Sequence, residues 1–478
     1  MEAFEYTHSY YRFPNEVLNR LDVLFNDTVF DVLTEYEKRS KFPFKELRDV
    51  VDFRKEKRNP QLNSKEDFIY TDIGSIDIVF GEPIPSVMQG EEAHSSRMRQ
   101  IMRYGDVLLS TTRPFRNAIC ITPEILDNQI CSTGFSVLIP KNITSKFVFL
   151  ALRSKIGNMQ LQKLCSGSGY PAINQEIDVP TILIPCPLSK NDQDRIVDAI
   201  QPFEDQAKLL KTQATKLQNE AVNFLLKKLQ IEIPENPTYF FKTGSENKSI
   251  NFTVSAESLT DRIHYLHYHP KYQILEKFRS LFKTVTLESI CSKEVSPGIQ
   301  PKFVENGDRI VLKTIDLKNR FIDYNNALKV SEEFYIANTS AEVHKGDIII
   351  AATGYVSMGK IDVYDKEEPA LISGELLSFR PNENYDPYFI AYFLRCHLGQ
   401  IQIEKYWTGS SGQIHLYAKD VKNFILPSHE SISKMEQTEI ANVIRKMIED
   451  SIKLEDAALE KLSASIRQFE ELILNEII

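Results

Sequence analysis

Apolar residues along the chain fall into two kinds of pattern, and each kind occurs twice. Short β-branched runs, Asp106 to Ser110 and Asp347 to Ile350, have the composition of strands. Stretches with helical periodicity follow them, Lys146 to Cys165 and Asp386 to Trp407. Each leads through a Gly/Ser loop to a short strand ending in proline. Alternation of this kind predicts an α+β globule. A longer helix closes each half. From Ile200 through Phe203, Ala207, Leu210, Ala214, Leu217 and Ala221 to Phe224, apolar positions alternate at spacings of 3 and 4. No Gly or Pro interrupts the chain between Phe203 and Ile233. This is the seam of a helix that pairs with another. In the second half, Ile440, Ile444, Met447, Leu454 and Ala458 continue through a register shift into Leu459, Leu462, Ile466, Phe469 and Ile473. Packing of each helix on its own globule is the competing reading, but two copies with polar outer faces favour pairing with each other. A helix of roughly 38 residues measures ~57 Å, more than one turn of B-DNA at ~34 Å. An antiparallel pair would therefore act as a spacer between two contact sites on a duplex.

The two patterns are parts of one repeat. Arg20-Leu21-Asp22 and Arg262-Ile263-His264 open comparable segments, ending at Glu46-Leu47-Arg48-Asp49 and Leu287-Glu288-Ser289-Ile290. Gly105-Asp106-Val107-Leu108-Leu109-Ser110 matches Gly346-Asp347-Ile348-Ile349-Ile350-Ala351, and Ser132-Thr133-Gly134 matches Ile372-Ser373-Gly374. Ser166-Gly167-Ser168-Gly169 matches Thr408-Gly409-Ser410-Ser411-Gly412. Ile177-Asp178-Val179 with Ile184-Pro185 matches Lys419-Asp420-Val421 with Leu426-Pro427. Five blocks in order, at offsets of 240 to 242 residues, identify an internal duplication. The expected layout is a first globule over 1–190 and a long helix over 191–232. A second globule over 233–430 and a C-terminal long helix over 431–478 complete a pseudo-twofold repeat.

Composition adds little to this. The 478 residues are 42% hydrophobic and 26% charged, suited to several folded domains. No run approaches the ~20 apolar residues of a membrane span, and the start from Met1 to Tyr11 does not resemble a signal peptide. The six cysteines lack a CxxC spacing, which argues against a zinc ribbon or a disulfide framework. Cytoplasmic residence is the expectation. The net charge of −9 is awkward for a partner made of phosphates. Segregation changes that picture: Arg97, Arg99, Arg103, Arg113 and Arg116 share their stretch with Asp106 as its only acid. A second knot, Arg54-Lys55-Glu56-Lys57-Arg58, lies upstream. Such clusters permit nucleic acid, although a solvated charged face has the same composition.

Motifs for catalysis fail. Gly354 to Ile361 nearly fits a phosphate-binding loop, but Ile361 replaces the Ser/Thr that holds magnesium and a strand is expected after Lys360. A glycine-turned hairpin fits better, with Lys360 available to a DNA phosphate. His264, His267 and His269 cluster without a nearby Cys, Asp or Glu, so packing among Tyr265, Tyr268 and Tyr272 is preferred to a metal site. No GxSxG, no HExxH and no pattern resembling an amino-methyltransferase active site is present.

This order of blocks, repeated once and closed each time by a long helix, resembles the specificity subunit of Type I restriction–modification systems. The resemblance covers essentially the whole chain. It implies two tandem α/β target-recognition domains, each reading one half of a bipartite asymmetric double-stranded DNA site. It also implies helices that form an antiparallel coiled coil docking two methyltransferase subunits, with restriction/translocase subunits able to join. Such a chain has no catalysis of its own, binds no cofactor or metal, and lives in a bacterial or archaeal cytoplasm. S-adenosylmethionine is expected on the methyltransferase, ATP and Mg on the restriction subunit. The alternatives are a coiled-coil scaffold whose globules bind proteins, or a methyltransferase or nuclease with an unrecognised site.

Candidate DNA-binding residues follow from their chemistry. In the first half they are Arg97, Arg99, Arg103, Thr112, Arg113, Arg116, Asn117, Ser168, Tyr170 and Asn174. In the second they are Thr353, Tyr355, Lys360, Ser410, Ser411, Gln413 and His415. Arg and Asn can bond base edges, while glycine-rich loops bring backbone N–H groups and Ser hydroxyls close to phosphates. An ordinary polar loop is the bland reading of each. Phe203, Leu210, Leu217, Phe224, Met447, Leu454, Leu462 and Phe469 are the candidates for helix pairing and subunit docking. Trp407 is expected to pack its helix.

Overall fold

The Gly-Asp pairs of the repeat occupy the same turn in both halves. Gly105 and Gly346 take positive φ of 83° and 92°, which glycine adopts without strain. The aspartate that follows closes the turn: Asp106 accepts from the Arg103 N–H at 2.8 Å and Asp347 from the His344 N–H at 3.0 Å. Each carboxylate also meets cations from neighbouring strands. Arg54 lies 2.7 Å from Asp106; Arg380 and Lys293 lie 2.6 and 3.4 Å from Asp347. A short motif is thus held by a turn, a cap and a buried ion pair at once.

The computed structural model describes residues 25–167, 169–187, 189–232, 239, 252–255, 265–318, 321–410 and 413–475. The opening blocks of the repeat, at residues 20–22 and 262–264, lie outside them. Two compact units are formed, Met1–Lys211 with Glu455–Ile478, and Thr212–Leu454.

In unit 1, strands β1 (Val51–Phe53), β2 (Asp67–Thr71), β3 (Ser86–Gln89), β4 (Met98–Met102), β5 (Val107–Ser110), β6 (Ile119–Ile121), β7 (Gln129–Ser132) and β8 (Phe135–Pro140) build two four-stranded sheets. Their orders are β1-β8-β5-β6 and β3-β2-β7-β4. In unit 2, β9 (Cys291–Pro297), β10 (Arg309–Leu312), β11 (Leu328–Val330), β12 (Glu342–Val343), β13 (Ile348–Ala351), β14 (Ile361–Val363), β15 (Ala370–Ile372) and β16 (Leu376–Pro381) give β9-β16-β13-β14 and β11-β10-β15-β12. The topology is identical, including the parallel pairs β2/β7 and β10/β15. Strands β5 and β13 are buried on both faces. Val107 and Leu109 face the helices while Leu108 enters a second core, and Ile348 and Ile350 alternate with Ile349 in the same way. That accounts for their unbroken apolar composition.

The helical stretch after each sheet is two helices, not one. Helices α1 (Ser145–Arg153) and α2 (Lys155–Leu164) meet at Ser154, whose hydroxyl accepts from the Gly157 N–H at 3.2 Å. A Cβ on Gly157 would lie 2.3 Å from the Ala151 carbonyl, so only glycine fits the corner. Gly399 occupies the matching corner in unit 2, where a Cβ would lie 2.2 Å from Leu394. Behind each corner a buried glutamine brackets a strand. Gln160 bonds both backbone groups of Leu183 at 2.7 and 2.8 Å, and Gln402 those of Ile425 at 3.0 and 2.6 Å.

Two long helices follow, α3 (Lys190–Lys228), which runs through Pro202, and one over Lys434–Ile473. Within unit 1, Ile196 and Ile200 share a core with Phe469, Ile473 and Leu474. Within unit 2, Ala221, Leu225 and Leu229 share one with Ala441, Ile444 and Ile448. The start of one helix meets the end of the other in each case, so the segments pair antiparallel. The C-terminal seam differs from its sequence pattern. Its buried line is Gln437, Ala441, Ile444, Ile448, Ser451, Ala458 and Ser465, without the expected register shift after Ala458. Small and polar side chains fill it, as Ala207, Ala214 and Ala221 do on α3, while Leu459 is exposed. Phe203, Leu210, Leu217, Phe224, Met447, Leu454 and Leu462 are half-buried flanking positions; Phe469 is fully buried. Among the described residues no helix is long and apolar enough to cross a membrane.

Candidate nucleic-acid interface

In unit 1 the chain leaves β5 and makes a tight knuckle from Arg113 to Asn117. The Thr112 backbone bridges to Ala172, and Ala172 bridges to Ser166, so the Gly/Ser loop is folded against the knuckle. Arg113 donates from its N–H to the Pro171 carbonyl at 2.7 Å and from its guanidinium to the Gly169 carbonyl at 3.2 Å. Its guanidinium lies over the Tyr170 ring at 5.0 Å, a cation–π contact. Tyr170 remains 79% exposed. Gln175 ties this loop to Thr111 Oγ1 and the Thr133 carbonyl, and the Thr133 N–H reaches the Arg97 carbonyl. Arg97, Arg113, Arg116 and Tyr170 are therefore brought to one region by short hydrogen-bonded links.

Other candidates of this half are engaged elsewhere. Arg103 pairs with Glu56 at 3.0 Å and lines a recess with Asp106 and Asp127. Asn117 is buried; its side-chain oxygen accepts from Asn158 at 2.9 Å. The Asn174 side chain accepts from the Glu176 and Ile177 N–H groups, shaping its own turn. Arg99 is half-buried on β4, and Ser168 lies outside the described residues.

In unit 2 the equivalent exit from β13 is built alike. Thr353 bridges to His415, with Thr353 Oγ1 3.5 Å from His415 Nδ1, and the Gly354 N–H reaches the Ile414 carbonyl at 3.1 Å. His415 pairs with Thr408 across a small hairpin and stacks on Tyr417. Ser410 and Gln413 pair in the same hairpin, and Ser411 lies outside the described residues. The segment from Gly354 to Lys360 turns into β14, as the failed phosphate-loop motif implied. Tyr355 and Lys360 line a cleft of about 640 Å³ with Gln218, Tyr392 and Gln400. Burial and the nearby Lys318 push the Lys360 ammonium below its usual range. Lys318 is itself engaged, lying 3.6 Å from Asp323 and donating to the Ile315 carbonyl at 2.9 Å.

Folding brings further charges to the candidate residues. Lys57 bridges to Gln100 on β4, which sets the 54–58 knot beside Arg97 and Arg99, and Lys55 reaches Glu176 next to the Gly/Ser loop. Lys318 lies far from Lys360 in sequence, and only folding adds the two charges together. Among the described residues no group of three metal-ligating side chains occurs. His267 approaches the Lys405 carbonyl at 3.0 Å and packs on Tyr406, and His269 accepts from the Lys271 N–H at 3.1 Å; His264 lies outside the described residues. Trp407 ends its helix and packs against the core.

A family model described as "Type I restriction modification DNA specificity domain" matches residues 39–219 and 279–464, one match in each half. No curated protein matches the chain. Among solved structures, the chain is similar to the HsdS subunit from Thermoanaerobacter tengcongensis, at 21% identity and a TM-score of 0.35 over 91% of this chain and 97% of that one. It is similar to the Type-I restriction-modification system S subunit from M. genitalium at 14% identity and a TM-score of 0.40, over 92% and 97%. A third similar structure, at 21% identity and a TM-score of 0.40 over 90% and 97%, is described by complex assembly and conformational transition of the type I R-M system.

Proposed function

Since the chain belongs to the Type I restriction–modification DNA specificity family, as the non-catalytic DNA specificity subunit of such a system, we propose that each globule reads one half of a bipartite, asymmetric duplex site. The observation that carries this reading is the pairing of one frame with two different tips. Thr112 and Thr353 leave equivalent strands and are bridged to equivalent loops, yet Arg113, Arg116 and Ala172 stand in one half where Gly354, Ser357 and His415 stand in the other. Arginine forks read base edges in the major groove, whereas Lys55, Lys57, Lys318 and Lys360 suit phosphates, which position without specifying. The half-buried apolar positions Phe203, Leu210, Leu217, Phe224, Met447, Leu454 and Leu462 flank the helix seams and are the docking surface for two methyltransferase subunits. Restriction/translocase subunits join that assembly. S-adenosylmethionine belongs to the methyltransferase, and ATP with Mg to the restriction subunit.

Selection from random duplexes by the complex of this chain with its methyltransferase tests the proposal. A motif in two parts separated by a fixed gap is expected. Enrichment of one undivided motif, or of none, overturns it.

A further inference from the structure

Both ends of the unit 1 knuckle lie in left-handed backbone, Arg113 at φ 47° and Asn117 at φ 60°. Non-glycine residues adopt that region at a cost, and two of them four positions apart need support from outside the turn. The core supplies it. Asn158, itself buried, donates to the Phe115 carbonyl at 2.8 Å and to the Asn117 side chain at 2.9 Å. Arg153 donates to the Asn117 carbonyl at 3.2 Å and to the Ile78 and Val79 carbonyls at 3.0 and 2.6 Å. The Arg113 N–H is fixed to Pro171, and Arg116 closes the turn by donating its N–H to the Arg113 carbonyl at 3.0 Å. Arg116 is the exposed residue of this turn, with no ion-pair partner among the described residues. Arg54 and Arg103, by contrast, are engaged by Asp106 and Glu56.

The matching turn of unit 2 carries its positive φ on glycines, Gly354 at 82° and Gly359 at 81°, and therefore carries no such strain. Ser357 donates its N–H to the Gly354 carbonyl at 3.2 Å, so serine occupies the place of Arg116. One half keeps a strained, braced turn with a guanidinium at its apex; the other makes the turn freely and has none.

The geometry points to Arg116 as the side chain that reads a guanine in the half-site bound by unit 1, through the O6 and N7 acceptors of its major-groove edge. This rests on the proposal that the knuckle region faces DNA. The guanidinium fork matches that acceptor pair, and a backbone set before binding spends less on ordering when the contact forms. A phosphate contact needs only a charge of loose placement and makes no use of a braced backbone. Unit 2, with Ser357 at this place, makes no corresponding demand for guanine.

The test is duplex selection and affinity measurement with the whole complex, for the wild type, Arg116→Ala and Arg116→Lys. The wild-type motif is expected to hold one invariant guanine in one half-site. Arg116→Ala should erase that preference, roughly ten- to a hundredfold, and leave every other position unchanged. Arg116→Lys should keep more affinity than Ala but discriminate guanine less well than Arg, because an ammonium has no fork. A uniform loss of affinity across all sequences would mark a phosphate contact and overturn the inference. So would an unchanged motif in Arg116→Ala, a loss of preference at a base other than guanine, or full discrimination by Arg116→Lys. A wild-type complex that selects no bipartite motif would instead overturn the function proposed for the whole chain.

Discussion

The two halves make the same frame with different residues at the places where a frame leaves freedom. Gly105 and Gly346, Asp106 and Asp347, Gly157 and Gly399, and Gln160 and Gln402 occupy equivalent places and perform the same tasks. The turn after β5 and β13 is strained and cationic in one half and glycine-made in the other. At these four places substitution leaves an unmet hydrogen bond or a clash, and both copies hold the same residue. Where a side chain faces solvent, neither penalty applies and the copies have diverged. The lesson concerns where chemistry is free to vary, and the proposed reading heads sit at such places.

The largest effect should come from the shared carboxylates. Asp106→Ala or Asp347→Ala removes a turn cap and the buried partner of neighbouring cations, a loss of about 3 kcal/mol each. Urea unfolding should show similar losses in the two variants. A large loss in one and none in the other would mean that the halves do not share their frame.

A second contrast lies one strand away. The middle residue of β6 is Cys120 and that of β14 is Asp362, both buried. Burial pushes the Asp362 carboxyl up from 3.8 to about 6, against the opposing field of Arg395. Between those pH values the folded state keeps a proton that the unfolded state releases. The contribution of Asp362 to stability is thus greatest below the lower value, falls as pH rises to about 6 by about 3 kcal/mol, and is level above it. The Cys120 thiol, pushed up to about 12, stays neutral throughout and adds no slope there. Asp362→Asn should remove this contribution from the pH dependence and raise stability near pH 7, as unfolding midpoints of the variant and wild type at acidic and neutral pH would reveal. An unaltered pH profile in the variant would remove Asp362 from the account.

The smallest effect concerns Lys360. Replacement by Ala should weaken DNA binding a few-fold for all sequences alike and reduce the salt dependence by about one phosphate contact. Base preferences in both half-sites should stay as they were. A changed motif would place Lys360 among the readers of sequence and blur the contrast with Arg116.

Much of this was legible in the residues. The repeat located the Gly-Asp turns, the strands after them and the long helices, because each uses residue types that few other arrangements tolerate. The break between α1 and α2 was not legible, since the apolar period continues across Ser154 and the corner is made by a cap and a glycine three residues later. The C-terminal seam was misread for a related reason. Periodicity follows large apolar side chains, while the buried line there runs through Gln437, Ser451 and Ser465. Among the candidate DNA contacts, sequence could not separate Arg103 from Arg116. Both are arginines in one basic stretch, and what divides them is Glu56, brought to Arg103 by strand pairing.

Sequence alone therefore determined the duplication, the order of elements and the absence of a recognisable catalytic set. These depend on local residue type and spacing, which a linear chain displays in full. Tertiary structure decided which charges are consumed by partners, which turn is braced and which small residues form the helix seams. Those outcomes depend on contacts between residues distant along the chain, where burial and pairing, not composition, set the energy of each group.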